Sequence, residues 1–434
     1  MELRDVIVTP LVIIGVLMAA YFIRPSATDE NTMRYFFPAL LLKIFAAIAL
    51  GIIYQFYYSG GDTFNYHTHG SRIIWGAFCD DFTLGFKLLF SGGELIQGTY
   101  KYIAQIPFYK DSPSFAIIRI AAFFDLFTFS SYSATAVLFS LISFIGGWAM
   151  FLTFYKKYPH LHFRLAIATL FIPSVIFWGS GILKDSIVLA CLGIAVYAID
   201  QLFFQRRVKF LTLLFLMVSL FTIFTIRKFV LQAFIPSVAL WVYFNQLVRM
   251  RSIVLKILIA PLIVSMFLFT AYYSVSKVGE GDTKYSTDKL AGTAKITAYD
   301  IGFYTGANAG SSYSLGEYDN SFSSMVRLAP QAVNVALFRP YLWEVRNPLM
   351  VLSAIESLFF FITTLYLLIK RRFSIQLFFK NADTIFCFVF ATTFAFAVGI
   401  SSYNFGTLDR YKIALLPFYL LWLFIALDQE NVTH

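Results

Sequence analysis

Charge is scarce in this chain: only 13% of its 434 residues are Asp, Glu, Lys or Arg, against 59% that are hydrophobic. A soluble domain of that length has nowhere to hide so much apolar surface, so the composition points to an all-α, polytopic membrane helical bundle. Cysteine is scarcer still. Cys79, Cys191 and Cys387 show no paired spacing and two of them lie inside apolar runs, which argues against a disulfide framework and against a zinc site. There is no evident internal repeat and no clean heptad pattern. The simplest partition is a single membrane domain, residues 1–434, with two excursions from the membrane.

What is abundant agrees. Phe (51) and Tyr (26) are frequent, as expected where many helix ends sit at headgroup level. A net charge of +10 would suggest nucleic acid in a soluble chain. Here anionic membrane lipids and a positive-inside bias account for it, and no nucleic-acid partner is expected. Runs long enough to span cover 6–23, 36–57, 131–155, 184–203, 229–247, 253–275, 349–369, 384–402 and 411–427, with shorter ones at 164–180 and 209–226. That predicts about 11 transmembrane helices, the longer runs approaching the ~20 apolar residues that cross ~30 Å of hydrocarbon. Met1 to Ile23 is read as a retained helix rather than a signal peptide, because its n-region mixes Arg4 with Asp5 and its end is a poor cleavage context.

Short connections rich in Lys and Arg fix an orientation: Lys156-Lys157 to Arg164, Arg206-Arg207 with Lys209, Arg249 with Arg251, and Lys370-Arg371-Arg372. They alternate along the chain and belong in the cytoplasm. The outward side then receives 58–130, 181–183, 227–228, 276–348 and 403–410. Within the first outward loop, 114–129 is apolar but interrupted by Arg119 and Asp125, and is expected to lie in the interface. The large outward loop 276–348 is Gly, Ser, Thr, Tyr and Asp rich over 277–325 and ends in FRPYLWEVRNP, Phe338 to Pro348.

Polar chemistry gathers on that outward side. The densest stretch, Tyr58 to Arg72 (YSGGDTFNYHTHGSR), packs Asp62, His67 and His69 behind Gly60-Gly61. Asp62 could act as a general base or metal ligand that a backbone of glycines lets a substrate approach, or be a solvated residue after a glycine stop. His67 and His69 stand two apart, on different faces of a helix and wrongly spaced for a paired zinc site; they are substrate hydrogen-bonders or surface residues. Asp80 and Asp81 could add carboxylates for a possible divalent cation, or form an ordinary loop. WGSGILKDS, Trp178 to Ser186, makes a hairpin or re-entrant turn that leaves Lys184 and Asp185 at the mouth of a helix, a seat for phosphate or a local ion pair. Arg227-Lys228 interrupts 209–247. Arg339 and Glu344 stand beside Tyr341 and Trp343, a guanidinium fork with rings that could stack on a sugar, or an interfacial aromatic anchor. Asp409, Arg410 and Lys412 open the last helix. Acid, imidazole and guanidinium groups on one face suit an anionic, amphipathic substrate at the membrane boundary, and lipid-linked phosphate is the obvious one.

On these residues the chain resembles the GT-C class of integral-membrane glycosyltransferases, which use polyprenyl-phosphate-linked sugars. The shared features are an acid in an early outward loop (Asp62 in GGDTFNYH), an interfacial helix in that loop (114–129), a late Arg-bearing outward motif, and a closing DRYKIALLPFYLLWL. The chain departs from the class in lacking a clean D-x-D in the first loop and in placing Asp62 after the second helix. The resemblance implies a membrane glycosyltransferase for surface glycan assembly, in the bacterial inner membrane with its site facing the periplasm. Its partners would be a lipid-linked sugar, membrane lipids, and a glycan or lipid acceptor. In that reading Arg339, Arg410 and Lys184 hold the phosphate leaving group while Asp62 deprotonates an acceptor hydroxyl that attacks the anomeric carbon with inversion. An O-antigen-type polysaccharide polymerase or ligase shares the lipid-linked donor but would rest on Arg and His. A transporter or flippase would show charge inside its helices, of which Lys43 is the clearest case.

Overall fold

The computed structural model describes residues 2–249, 311–315, 322–372 and 381–428, with isolated positions at 265, 295, 296, 299 and 374. Apart from those isolated positions, the run 253–275 and the loop segments 276–310 and 316–321 lie outside the described residues. Among those described, the chain is helical, with one isolated antiparallel bridge between Ser312 and Asn404. Among the described residues, seven helices are long and apolar enough to cross a membrane, or eight if a bent C-terminal pair counts as one span. The chain divides into two compact units, Met1–Asp200 with Val208–Arg227, and Gln201–Arg207 with Lys228–His434.

The first unit opens with the spans α1 (Leu3–Ala27) and α2 (Met33–Phe56), followed by α3 (Asp62–Tyr66), a π-helical turn (His67–Ser71), and the short helices α4 (Arg72–Asp80), α5 (Phe82–Leu89) and α6 (Tyr100–Ile103). Then come α7 (Ser112–Thr128), which is not among the helices that qualify as spans, and the span α8 (Tyr132–Tyr155). Beyond α8 the chain is divided by proline. The apolar run 164–180 is not one helix but two, α9 (His162–Leu170) and α10 (Pro173–Trp178), because Pro173 lacks an N–H and pushes the residue before it out of the helical region. Residues 184–204 form the span α11 (Lys184–Ile199), which ends in a π-helical turn Asp200–Phe204, and α12 (Phe210–Ile226) is a shorter apolar helix.

Helix α8 is the centre of this unit. Phe36 of α2 packs edge-on against Phe144 and Trp148 of α8 at 5.2 and 5.0 Å. On another face α8 meets α11 through Gly146, Ala190 and Gly193, so closely that a Cβ on Gly193 would lie 2.0 Å from the Gly146 carbonyl oxygen; small residues let spanning helices approach backbone to backbone. Large side chains of α1 and α12, among them Leu3, Leu11, Met18, Phe210 and Phe221, face outward, as lipid-facing surfaces do. The starts of α1, α8 and α11 and the ends of α2 and α12 share one side, shown by Asp5 accepting from Ser131, Thr63 bonding Tyr132, and Asp185 pairing with Arg227. The opposite ends meet through Asn31 and Tyr155 and through Tyr35 and His162.

The second unit contains α13 (Lys228–Arg249), α14 (Phe322–Arg327), α15 (Ala329–Phe338), α16 (Pro348–Lys370), α17 (Ala382–Ser402), α18 (Phe405–Tyr411) and α19 (Leu416–Leu427). Trp241 of α13 lies flat on Phe386 of α17 at 4.4 Å and donates its indole N–H to Asp383 at 2.7 Å. The expected last span, 411–427, begins earlier and is broken: 405–414 and 416–427 meet at a 60° bend. Pro417 stands in the first turn of the second piece, where its missing N–H does no harm, whereas a helix running through it would lose a hydrogen bond.

Candidate functional site

A pocket of about 570 Å³ opens in the first unit where span ends come together. Its wall takes Glu2 and Asp5 from the start of α1, Gly51 and Gln55 from the end of α2, Tyr132 from the start of α8, and Ser59, Gly60, Phe64, Thr68, His69 and Arg72 from the SGGDTFNYHTHGSR stretch. Sequence alone shows why the stretch folds this way. Gly60 and Gly61 take φ of +131° and +126°, a region that side chains disfavour, and so turn the chain sharply after α2 into α3. A Cβ at Gly61 would also meet the Tyr54 ring at 2.8 Å.

The pocket mixes charge with aromatic surface. Arg72 donates to Glu2 at 2.5 Å and to the backbone of Ser130 at 3.3 Å. Asp5 accepts from the Ser131 hydroxyl at 2.7 Å and the Ser133 N–H at 3.3 Å. Phe64 lies stacked on Tyr132 at 4.6 Å, and the Tyr132 hydroxyl bonds Thr63 at 2.7 Å. The site thus offers a guanidinium, an imidazole, carboxylates and an aromatic face at the level where spanning helices end.

The residues expected from sequence fall in different places. His69 lines the pocket, whereas His67 is fully buried beneath it, with Nε2 3.5 Å from the Asp125 carboxylate. Asp62 heads α3, two residues beyond the pocket-lining Gly60, and is not part of the pocket wall. Lys184 sits 5.9 Å over the ring of Tyr66 and 3.6 Å from Asp111. Asp185, in the first turn of α11, forms a buried pair with Arg227 at 2.5 Å, so its carboxylate is engaged within the protein. Asp80 accepts from Tyr102 at 2.5 Å and from Lys101 at 3.3 Å, and the Tyr102 bond, then Lys101, draws its carboxyl below the usual value. Asp81 caps α5 through the Thr83 N–H at 2.7 Å. Among the described residues no three His, Cys, Asp or Glu side chains are grouped closely enough to hold a metal ion.

In the second unit Glu344 fills the fork of Arg339, contacting both Nε and Nη2, and the same carboxylate accepts the Tyr341 N–H at 2.8 Å. The Glu344 hydrogen bond raises the pKa of the guanidinium. Burial pushes the Glu344 carboxyl up, but the Arg339 and Tyr341 bonds outweigh it and hold the group below its ordinary value. Tyr313, Tyr341 and Phe405 surround Arg339 at 5.4–5.8 Å. Trp343 stacks on Tyr341 at 4.8 Å and is 81% exposed. Lys412 is buried beside Asp409 at 2.7 Å and Ser357 at 3.5 Å, and Arg410 is half-buried on α18.

Asp5, Arg72, Tyr132 and Asp125 are the residues sequence reasoning passed over. Asp5 carried the available signal: an acid in the first turn of a spanning helix is costly unless it has partners. Comparison with protein-family models, with curated proteins and with solved structures finds no match to this chain.

Proposed function

We propose that the protein is a membrane glycosyltransferase that takes a sugar from a polyprenyl-phosphate donor, and that the pocket between α1, α2 and α8 receives the polar end of that donor. The observation that carries this is the pocket itself: about 570 Å³ at the ends of spanning helices, walled by Arg72, His69, carboxylates and the Phe64–Tyr132 pair. That volume lies within the ~300–1,000 Å³ common for small-molecule sites. A phosphate would find Arg72 and His69, a sugar ring would find aromatic surface, and the lipid tail could stay in the bilayer. Asp62 remains the proposed base, beside the pocket's glycine turn. A periplasm-facing site in a bacterial inner membrane completes the proposal.

The test is sugar transfer in proteoliposomes supplied with isotope-labelled polyprenyl-phosphate sugars. Arg72→Gln is expected to weaken donor capture about tenfold or more, since one charge-assisted bond is worth roughly 1.5–3 kcal/mol, and Asp62→Ala to abolish transfer with donor capture intact. If Asp62→Ala transfers normally while Arg339→Ala does not, the polymerase or ligase reading replaces this one. If wild-type protein does not capture polyprenyl phosphate, lipid-linked sugar transfer is excluded. The transporter reading has one specific observation in its favour: Lys43 is buried in the middle of α2. Sugar accumulation inside the same liposomes, without a new glycosidic bond, is its signature.

A further inference from the structure

Beneath the pocket lies a group of ionisable side chains that sugar transfer does not use. His67 and Asp125 are both fully buried. Asp125, on α7, accepts from the Ser71 hydroxyl at 2.6 Å and from the Thr135 hydroxyl at 2.7 Å, one bond to each oxygen. His67 stands on the π-helical turn, a local irregularity that recurs at functional sites. Neither of its ring nitrogens has a hydrogen-bond partner, and Nε2 is 3.5 Å from Asp125 Oδ1. The ring meets Tyr132 of α8 edge-on at 5.4 Å, and Tyr132 shares the pocket wall with Asp5 of α1.

An isolated carboxylate in such a place is expensive, and so is an isolated imidazolium; the pair is affordable when the imidazole carries both its N–H protons and the carboxylate none, so that the net charge is zero. Protons in a pair this close belong to the pair. Both Asp125 oxygens are already engaged by hydroxyl donors, while both imidazole nitrogens are open, so the ring is where the proton has room. We propose that His67 and Asp125 form a buried proton-holding pair, with the proton on the imidazole, and that Asp5 couples this pair to the pocket. Asp5 is suited to that by its place: it lines the pocket wall and accepts from Ser131 and Ser133, the residues on either side of the Tyr132 ring that His67 meets. Ligand charge placed against Asp5 then alters how firmly the ring holds its proton. No oxidant or co-reactant is needed; the proton that the ring gives up is taken by solvent, and the Ser71 and Thr135 hydroxyls then hold the Asp125 charge.

The proposal does not depend on the identity of the pocket's ligand. It is tested on the full-length protein, ring-¹⁵N-labelled at histidine, in lipid nanodiscs. The chain has five histidines, so each signal can be assigned by replacing His69, His160, His162 and His434 in turn. At neutral pH the His67 ring is expected to show both nitrogens protonated. A neutral His67 ring in the unsubstituted protein overturns the pair, and that reading needs no variant to fold. Asp125→Asn is expected to remove one proton from His67 and leave the His69 signal unmoved. Asp5→Asn takes away a neighbouring negative charge, so the ring should hold its proton less firmly and release it at lower pH than in the unsubstituted protein. An unchanged midpoint in a folded Asp5→Asn protein overturns the coupling to the pocket.

Discussion

Lys43, in the middle of α2, reaches Gly179 at the end of α10: its amine donates to the Gly179 carbonyl at 3.0 Å, and also to the Val175 carbonyl at 2.9 Å and the Ser143 hydroxyl at 3.0 Å. All three ammonium donor positions are matched. The last carbonyls of a helix lack intrahelical partners, and a cation near them is favoured by the helix dipole. The charge thus pins the WGSG turn from below. Lys43→Met would leave these acceptors buried without their donor, at about 1–3 kcal/mol for each group that finds no substitute. Thermal unfolding in detergent should show a loss of several degrees, whereas Leu41→Ala, on the exposed face of α2, should change little. An unchanged melting temperature for Lys43→Met would mean that the lysine has another purpose.

Asp185 and Arg227 make a second internal tie, between the start of α11 and the end of α12, with both side chains buried. Removing one partner of a buried pair strands the other, typically at about 3–5 kcal/mol. Asp185→Asn and Arg227→Gln should each lower stability strongly, and the double variant should lose much less than the sum. A chemical-denaturation cycle on the four proteins measures the coupling. Additive losses would show that the two residues act independently, as separate substrate contacts would.

Spans were legible in the sequence because hydrocarbon thickness demands runs of fixed length, and each described long run formed one helix except 411–427, which is broken. Breaks were less so: hydropathy is blind to Pro173 and Pro417, where the ring interrupts a run that still scores as apolar. The Tyr58–Arg72 stretch announced itself by density of polar residues. What it could not announce was depth. His67 and His69 do stand on different faces, one buried and the other in the pocket wall, but which is which depends on Asp5, Asp125 and Tyr132, brought in from distant parts of the chain. The Arg339 fork was similarly legible as chemistry but not as occupancy, since Glu344 lies five residues on and folds back onto it through a tight turn.

That turn responds to pH. Glu344 sits below its ordinary value of 4.5 through Arg339 and Tyr341, so its contribution to the fold is complete above that value and is lost as pH falls through the lower, folded value. Hydrogen-exchange protection across 339–347, corrected for the pH dependence of intrinsic exchange, should therefore be level at neutral pH and fall below about pH 4.5. Glu344→Gln should exchange faster at neutral pH and lose most of the acid dependence. Because the pair is partly exposed, the effect should be local and modest, and raised salt should shrink it. A wild-type profile flat down to pH 3 would contradict the assigned role of Glu344.

Close packing of α8 on α11 sets the sharpest steric test. Adding a methyl at Gly193 places it 2.0 Å from the Gly146 carbonyl oxygen, and one at Gly146 falls 2.3 Å from the Ala190 backbone. Both obstacles are backbone, so neither can swing aside as a side chain would, and the helices must part. Gly193→Ala should cost about 1–3 kcal/mol by overpacking, more than the gain in helix propensity of roughly 1 kcal/mol that Ala brings over Gly. Gly15 in α1 supplies the contrast: nothing lies within 4 Å of a Cβ there, so Gly15→Ala receives the propensity gain alone and should be neutral or slightly stabilising. Melting temperatures of the two single variants, measured side by side in one detergent, should move in opposite directions from wild type. If Gly193→Ala melts at or above the wild-type temperature, α8 and α11 are not in backbone contact at Gly146 and Gly193.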